Sequence, residues 1–158
     1  MITGPEAART CALLLGLVVQ GCTHAACLLL AAHPDGAVLT RIAVASNAPE
    51  FAITYMHSVT RTPVEERYRI DGSTIVEMQM TFIQHGPGLP TAADAGGSMS
   101  VVDGRNVVTM ARRFDTVVMR VHADQSPQLH IAANATNLTA WGNRALALHA
   151  IAGPCSDH

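Results

Sequence analysis

The residues with chemical potential cluster in Tyr55–Glu66, "YMHSVTRTPVEE". A histidine stands beside a serine, a threonine–proline pair follows, and two glutamates close the stretch. A His, Ser and carboxylate set is the raw material of nucleophilic catalysis, provided that nucleophile and base meet at about 3 Å. The alternation of the chain decides against that geometry. Phe51–Val59 and Val64–Ile70 read as antiparallel strands joined by Thr60-Arg61-Thr62-Pro63, a four-residue hairpin loop. His57 and Ser58, being adjacent on a strand, point to opposite faces. Ser58 therefore lacks His57 as its activating base.

In this register Val59 faces Val64, Tyr55 faces Tyr68, and Ile53 faces Ile70, all on one side of the ribbon. His57 falls opposite Glu66 on that apolar face. Such a pair is either a hydrogen-bonded device that fixes register or part of a binding site near an open end of the domain. The other face carries Ser58 and Glu65, and Arg61 sits at the turn. A second candidate is "HGPGLP", His85–Pro90, where two glycines and two prolines fix an irregular loop. It reads as a rigid corner, or as a backbone surface offered to a ligand or partner through Gly86, Gly88 and Pro90. Its spacing is that of no phosphate-binding loop. The remaining histidines show no metal-ligand spacing, and no Cys-x-x-Cys occurs. We assign no catalytic residue, no metal and no cofactor from the sequence.

The elements that carry these motifs read as all-β. After His33-Pro34-Asp35-Gly36, short runs alternate with period two: Val76, Met78, Met80 and Phe82; Val117, Met119 and Val121; Leu146 and Leu148. Turn signals such as Asp71-Gly72, Gly96-Gly97, Asp103-Gly104 and Gly142-Asn143 separate them. The expected fold is a small antiparallel β-sandwich or partly open barrel over residues 34–158. It is preceded by an N-terminal hydrophobic helix within residues 1–33.

That first segment contains "TCALLLGLVVQGCTHAACLLLAA", Thr10–Ala32. As one helix it extends about 35 Å, enough for a hydrocarbon core of roughly 30 Å. Three readings stand: an uncleaved single-span anchor, a cleaved signal peptide with Cys11–Val19 as its apolar core, and a lipoprotein signal ending "VQGC" at Cys22. Each places the rest of the chain outside the cytoplasm, and Arg9 favours that orientation. Three of the four cysteines lie in this stretch and leave Cys155 alone in the domain, so no structural disulfide is expected.

The chain has 158 residues, a net charge of −2 and no lysine. That composition permits one domain plus a leader and excludes the clustered basic face of a nucleic-acid binder.

"FAITYMHSVTRTPVEERYRIDG" followed by "TFIQHGPGLP" resembles the bacterial domain-of-unknown-function 1850 family. The matching positions are His57, Ser58, Val59, Thr62, Pro63, Val64, Glu65 and Glu66, then Gly86, Gly88, Leu89 and Pro90. The resemblance covers residues 50–95; His85 and Pro87 depart from the family's pattern. It implies an auxiliary, membrane-anchored component of a tripartite ATP-independent periplasmic transporter of the TAXI type. Its partners would be the permease and the TAXI-type substrate-binding protein. The location implied is the bacterial inner membrane, with the domain facing the periplasm. The alternatives are a small periplasmic hydrolase using His57 with a carboxylate, and a stand-alone ligand-binding module.

Overall fold

A computed structural model of the protein describes residues 24–45 and 49–155. Eleven strands run in chain order among them: β1 His24–Ala32, β2 Val38–Ala45, β3 Glu50–Met56, β4 Pro63–Asp71, β5 Thr74–Phe82, β6 Ser98–Val102, β7 Arg105–Phe114, β8 Val117–Arg120, β9 Gln128–Ile131, β10 Asn134–Asn137 and β11 Ala145–Ala152. Short 3₁₀ turns at Ala123–Gln125 and Leu138–Trp141 complete the set. One sheet has four strands in the order β2-β1-β11-β8, and the other has seven in the order β10-β9-β3-β4-β5-β7-β6. All the pairings are antiparallel, and the two sheets form a sandwich-like all-β arrangement. The turns read at Asp71-Gly72 and Asp103-Gly104 close the β4–β5 and β6–β7 hairpins.

The N-terminal reading needs correction. Thr10–Ala32 is not one continuous helix, because His24–Ala32 is strand β1, hydrogen-bonded between β2 and β11 at the centre of the smaller sheet. The β-domain therefore begins at or before His24 and not at residue 34. A continuous apolar run such as "CLLLAA" suits a strand buried on both faces as well as a helix, and periodicity alone cannot separate the two. Ala26, Leu28 and Leu30 turn into the sandwich, while Cys27, Ala31 and Ala32 are also buried. Residues 1–23, with the rest of the anchor or signal segment, lie outside the described residues. Among the described residues no helix is long and apolar enough to cross a membrane.

The expectation of no disulfide also fails. Cys27 of β1 is bonded to Cys155, with the two Cα atoms 4.9 Å apart. The cross-link closes a sequence separation of 128 residues and ties β1 to the segment that follows β11. Assigning Cys27 to a membrane helix hid its partner.

The core divides into two parts because the sheets are unequal. Under the four-stranded sheet, Leu28, Leu30, Leu146 and Leu148 meet Phe51, Ile53, Tyr68, Ile70 and Ile75. Phe51 and Tyr68 stack with their ring centres 4.9 Å apart. Beyond the reach of that sheet, Val64, Met80, Phe82, Val108 and Met110 form a second cluster, on which Leu89 of the 85–90 loop packs.

Candidate functional site

The β3–β4 hairpin has a different register from the one expected. Ile53 faces Glu66, Tyr55 faces Val64, and Phe51 faces Tyr68. The loop is Ser58-Val59-Thr60-Arg61, two residues earlier than read, which shifts every partner by four positions. It closes through His57 N donating to Thr62 O (2.9 Å) and Arg61 N donating to His57 O (3.0 Å). Arg61 adopts a left-handed φ of 53°. An even shift preserves the faces. Tyr55, Val64, Glu66, Tyr68 and Ile70 still look inward, but His57 leaves the strand, and no His57–Glu66 contact forms. Val59, expected against Val64, is 65% exposed in the loop.

His57 organises the loop from inside it. Its Nδ1 accepts from Val59 N (3.2 Å) and Thr60 N (3.1 Å). Nδ1 is thus the unprotonated nitrogen, and Nε2 carries the proton that it donates to Pro87 O at 3.1 Å. The ring is only 6% exposed. A Cβ placed on Gly86 would stand 2.8 Å from His57 Cε1 and 2.9 Å from Thr60 Cγ2, so a side chain is excluded there. The two motifs therefore meet at one point, His57 against Gly86-Pro87.

The other expected site residues separate into three places. Ser58 and Arg61 are exposed at the hairpin tip, where Arg61 reaches Asp124 at 3.3 Å. Gly88 and Pro90 lie further along the 85–90 loop, Gly88 with a left-handed φ of 87°. Glu65 points to the outer face of the larger sheet, and Glu66 to the inner one.

Glu66 sits in a tyrosine clamp. Tyr55 Oη donates to its Oε1 at 2.9 Å and Tyr68 Oη to its Oε2 at 2.6 Å. Burial, then the neighbouring Glu66 charge, pushes both phenols above their ordinary range. Directly across from Tyr68 on β5 stands Glu77, a residue missing from the sequence-derived site. Simple alternation placed Glu77 outward, opposite in sense to Met80 and Phe82. A β-bulge at Met78 reverses the phase, so that Ile75 and Glu77 turn inward on one side of it and Met80 and Phe82 on the other. No residue type in "TIVEMQMTF" signals that bulge.

Glu77 is 4% exposed. Its Oε2 lies 3.8 Å from Arg112 Nη1, beyond hydrogen-bond reach, and its Oε1 has no partner. Arg112 is committed elsewhere: its Nε and Nη2 donate to the two carboxylate oxygens of Asp94 at 2.6 and 3.0 Å. This fork holds Asp94 below the usual carboxylate range. Burial, reinforced by the Glu66 charge and opposed by Arg112, raises Glu77 to about 7.

These groups line a cavity of about 450 Å³ between the inner face of the larger sheet and β8, the edge strand of the smaller one. Tyr55, Glu66, Tyr68 and Glu77 form its polar wall, and Ile53, Met80, Phe114, Val117 and Met119 its apolar walls. Among the described residues no three His, Cys, Asp or Glu side chains converge as metal ligands.

A family model described as "Domain of unknown function (DUF1850)" matches residues 51–138. That span is more than half of the chain, and the chain belongs to this family. The match takes in nearly all of the seven-stranded sheet, β8, the His57 knot and every residue named on the cavity wall. No curated protein and no solved structure matches the chain.

Proposed function

We propose that this DUF1850 domain works outside the cytoplasm as a non-catalytic auxiliary component of a TAXI-type tripartite solute transporter. It is held at the bacterial inner membrane by residues N-terminal to its first strand and contacts the permease and the substrate-binding protein. The transporter assignment rests on the resemblance carried by the two motifs. The observation that supports a contact role is the His57 knot. Both ring nitrogens are spent on backbone groups, and two separate motifs are locked into one end surface. A general base needs a free nitrogen aimed at a substrate, and His57 offers none to Ser58, which lies exposed at the loop tip. The Cys27–Cys155 bond supports placement in an oxidising compartment, where structural disulfides persist. Anchoring raises the domain's effective concentration beside a permease.

The test has two parts. Deleting the gene while leaving the other transporter components intact should abolish or sharply reduce uptake of the cognate solute. A photo-crosslinker placed at Val59 or Pro87 should capture the permease or the binding protein, and one placed at Arg105, in the β6–β7 hairpin, should not. Undiminished uptake in the deletion strain would falsify the transporter role.

A further inference from the structure

The inner wall of the cavity carries more acceptors than donors. Both Glu66 oxygens already receive tyrosine O–H groups, which leaves the two phenol oxygens with lone pairs only. Glu77 Oε1 adds another acceptor with nothing to accept, on a side chain that is 5% exposed. An orphaned buried carboxylate oxygen is costly, and native proteins retain such groups where something else satisfies them. Arg112 cannot serve, because its fork is held by Asp94 and its nearest nitrogen stays 3.8 Å away.

We propose that this cavity is a binding site for a small organic cation, an alkyl or aralkyl amine bound as its ammonium. Glu77 and Glu66 seat the head group, and the hydrocarbon body lies against Met80, Met119, Val117 and Phe114. An ammonium supplies three donors and a positive charge and presents no acceptor, which complements this wall in both respects. The apolar remainder and a volume of about 450 Å³ suit an organic body and exceed what a bare ion fills. Hard metal ions require six or more oxygen ligands, and the wall has two carboxylates. The charged groups facing the head-group position are Glu66 on β4, Glu77 on β5, Arg112 on β7 and its partner Asp94, with Arg120 of β8 at the rim. The site stands on the cavity alone and is independent of the transporter assignment.

Calorimetric titration of the full chain at pH 8 with three probes of one hydrocarbon body tests it: hexylamine, hexan-1-ol and hexanoate. Hexylammonium should bind on the order of tenfold more tightly than hexanol, through its charge-assisted hydrogen bonds. Hexanoate should show no binding. Glu77→Gln, which keeps shape and volume, should bring hexylammonium down to the affinity of hexanol while leaving hexanol itself unchanged. A thermal melt at or above that of the parent shows that the variant is folded. Equal affinity for amine and alcohol, preference for hexanoate, no heat with any probe, or an unchanged amine affinity in Glu77→Gln each overturns the proposal. So does stoichiometric binding of calcium chloride that displaces the amine.

Discussion

His57 and Gly86 touch across two loops: the imidazole lies where any side chain on residue 86 would have to go. The histidine works here as a strut. Its Nδ1 holds the β3–β4 loop closed, and its Nε2–H holds the 85–90 loop down. Gly86→Ala inserts a methyl group 2.8 Å from His57 Cε1, and the two loops must part. We expect a loss of about 1–3 kcal/mol, the usual range for overpacking, read as a lower urea midpoint. In a His57→Ala background the same change should cost less, because the ring contact is gone and only Thr60 Cγ2 still crowds the methyl group. Equal penalties in the two backgrounds would show that ring and glycine are not coupled.

The Cys27–Cys155 bond closes nearly the whole domain, so it constrains the unfolded chain strongly. A loop of this length corresponds to about 4–5 kcal/mol on the chain-entropy model. Cys155→Ser should therefore melt at least about 10 °C below the parent. Dithiothreitol should lower the parent to the same point and leave the variant unmoved. A parent indifferent to reductant contradicts the cross-link.

Strand β1 sets a limit on processing. Cys27, Leu28 and Leu30 are buried in the domain and cannot be removed with a leader. Intact-mass measurement of the protein purified from its native cells should give an N-terminus no later than His24. A folded mature chain starting within or after β1 would contradict the sheet order.

Much of the larger sheet was legible in the residues themselves. Period-two alternation exposed β4 there and β8 in the smaller sheet, and the Asp-Gly pairs marked two hairpins of the larger one. The inward set Tyr55, Val64, Glu66, Tyr68 and Ile70 was recoverable because an even register error leaves faces unchanged. His57 was misplaced because one histidine ring took over the loop-closing hydrogen bonds that strand pairing was expected to make. Glu77 was hidden because a one-residue bulge leaves no mark in composition yet reverses every side chain beyond it. Cys27 was hidden because a doubly buried strand and an apolar helix are written in the same residues. The acidic wall of the cavity depends on that bulge, so only Glu66, of its two carboxylates, was visible beforehand.

The tyrosine clamp on Glu66 is expected to act as a unit. Tyr55→Phe and Tyr68→Phe each leave one carboxylate oxygen without its O–H donor while retaining the ring. Each should cost about 1–3 kcal/mol, the penalty of an unsatisfied buried acceptor. Tyr68 should cost more, since its bond is shorter, at 2.6 Å against 2.9 Å. Chemical denaturation of the two single variants measures the order. The reverse order, or two neutral variants, would remove Glu66 from the buried network.

Glu77 makes stability fall with rising pH. Its native pKa is raised to about 7 from 4.5, so between those values the folded state keeps a proton that the unfolded chain has released. The unfolded chain binding fewer protons means that unfolding free energy declines as pH climbs through this window, then levels off above it. Glu66, Tyr68, Arg112 and Asp94 are the charged or titrating neighbours, and Glu77→Gln leaves all four in place. The variant should match the parent near pH 4 and exceed it by roughly 2–3 kcal/mol at pH 8. Urea unfolding at the two pH values reads this directly. A parent that gains stability relative to Glu77→Gln between pH 5 and 8 would mean that the carboxylate finds a partner in the folded protein, and that the orphaned oxygen does not exist in solution.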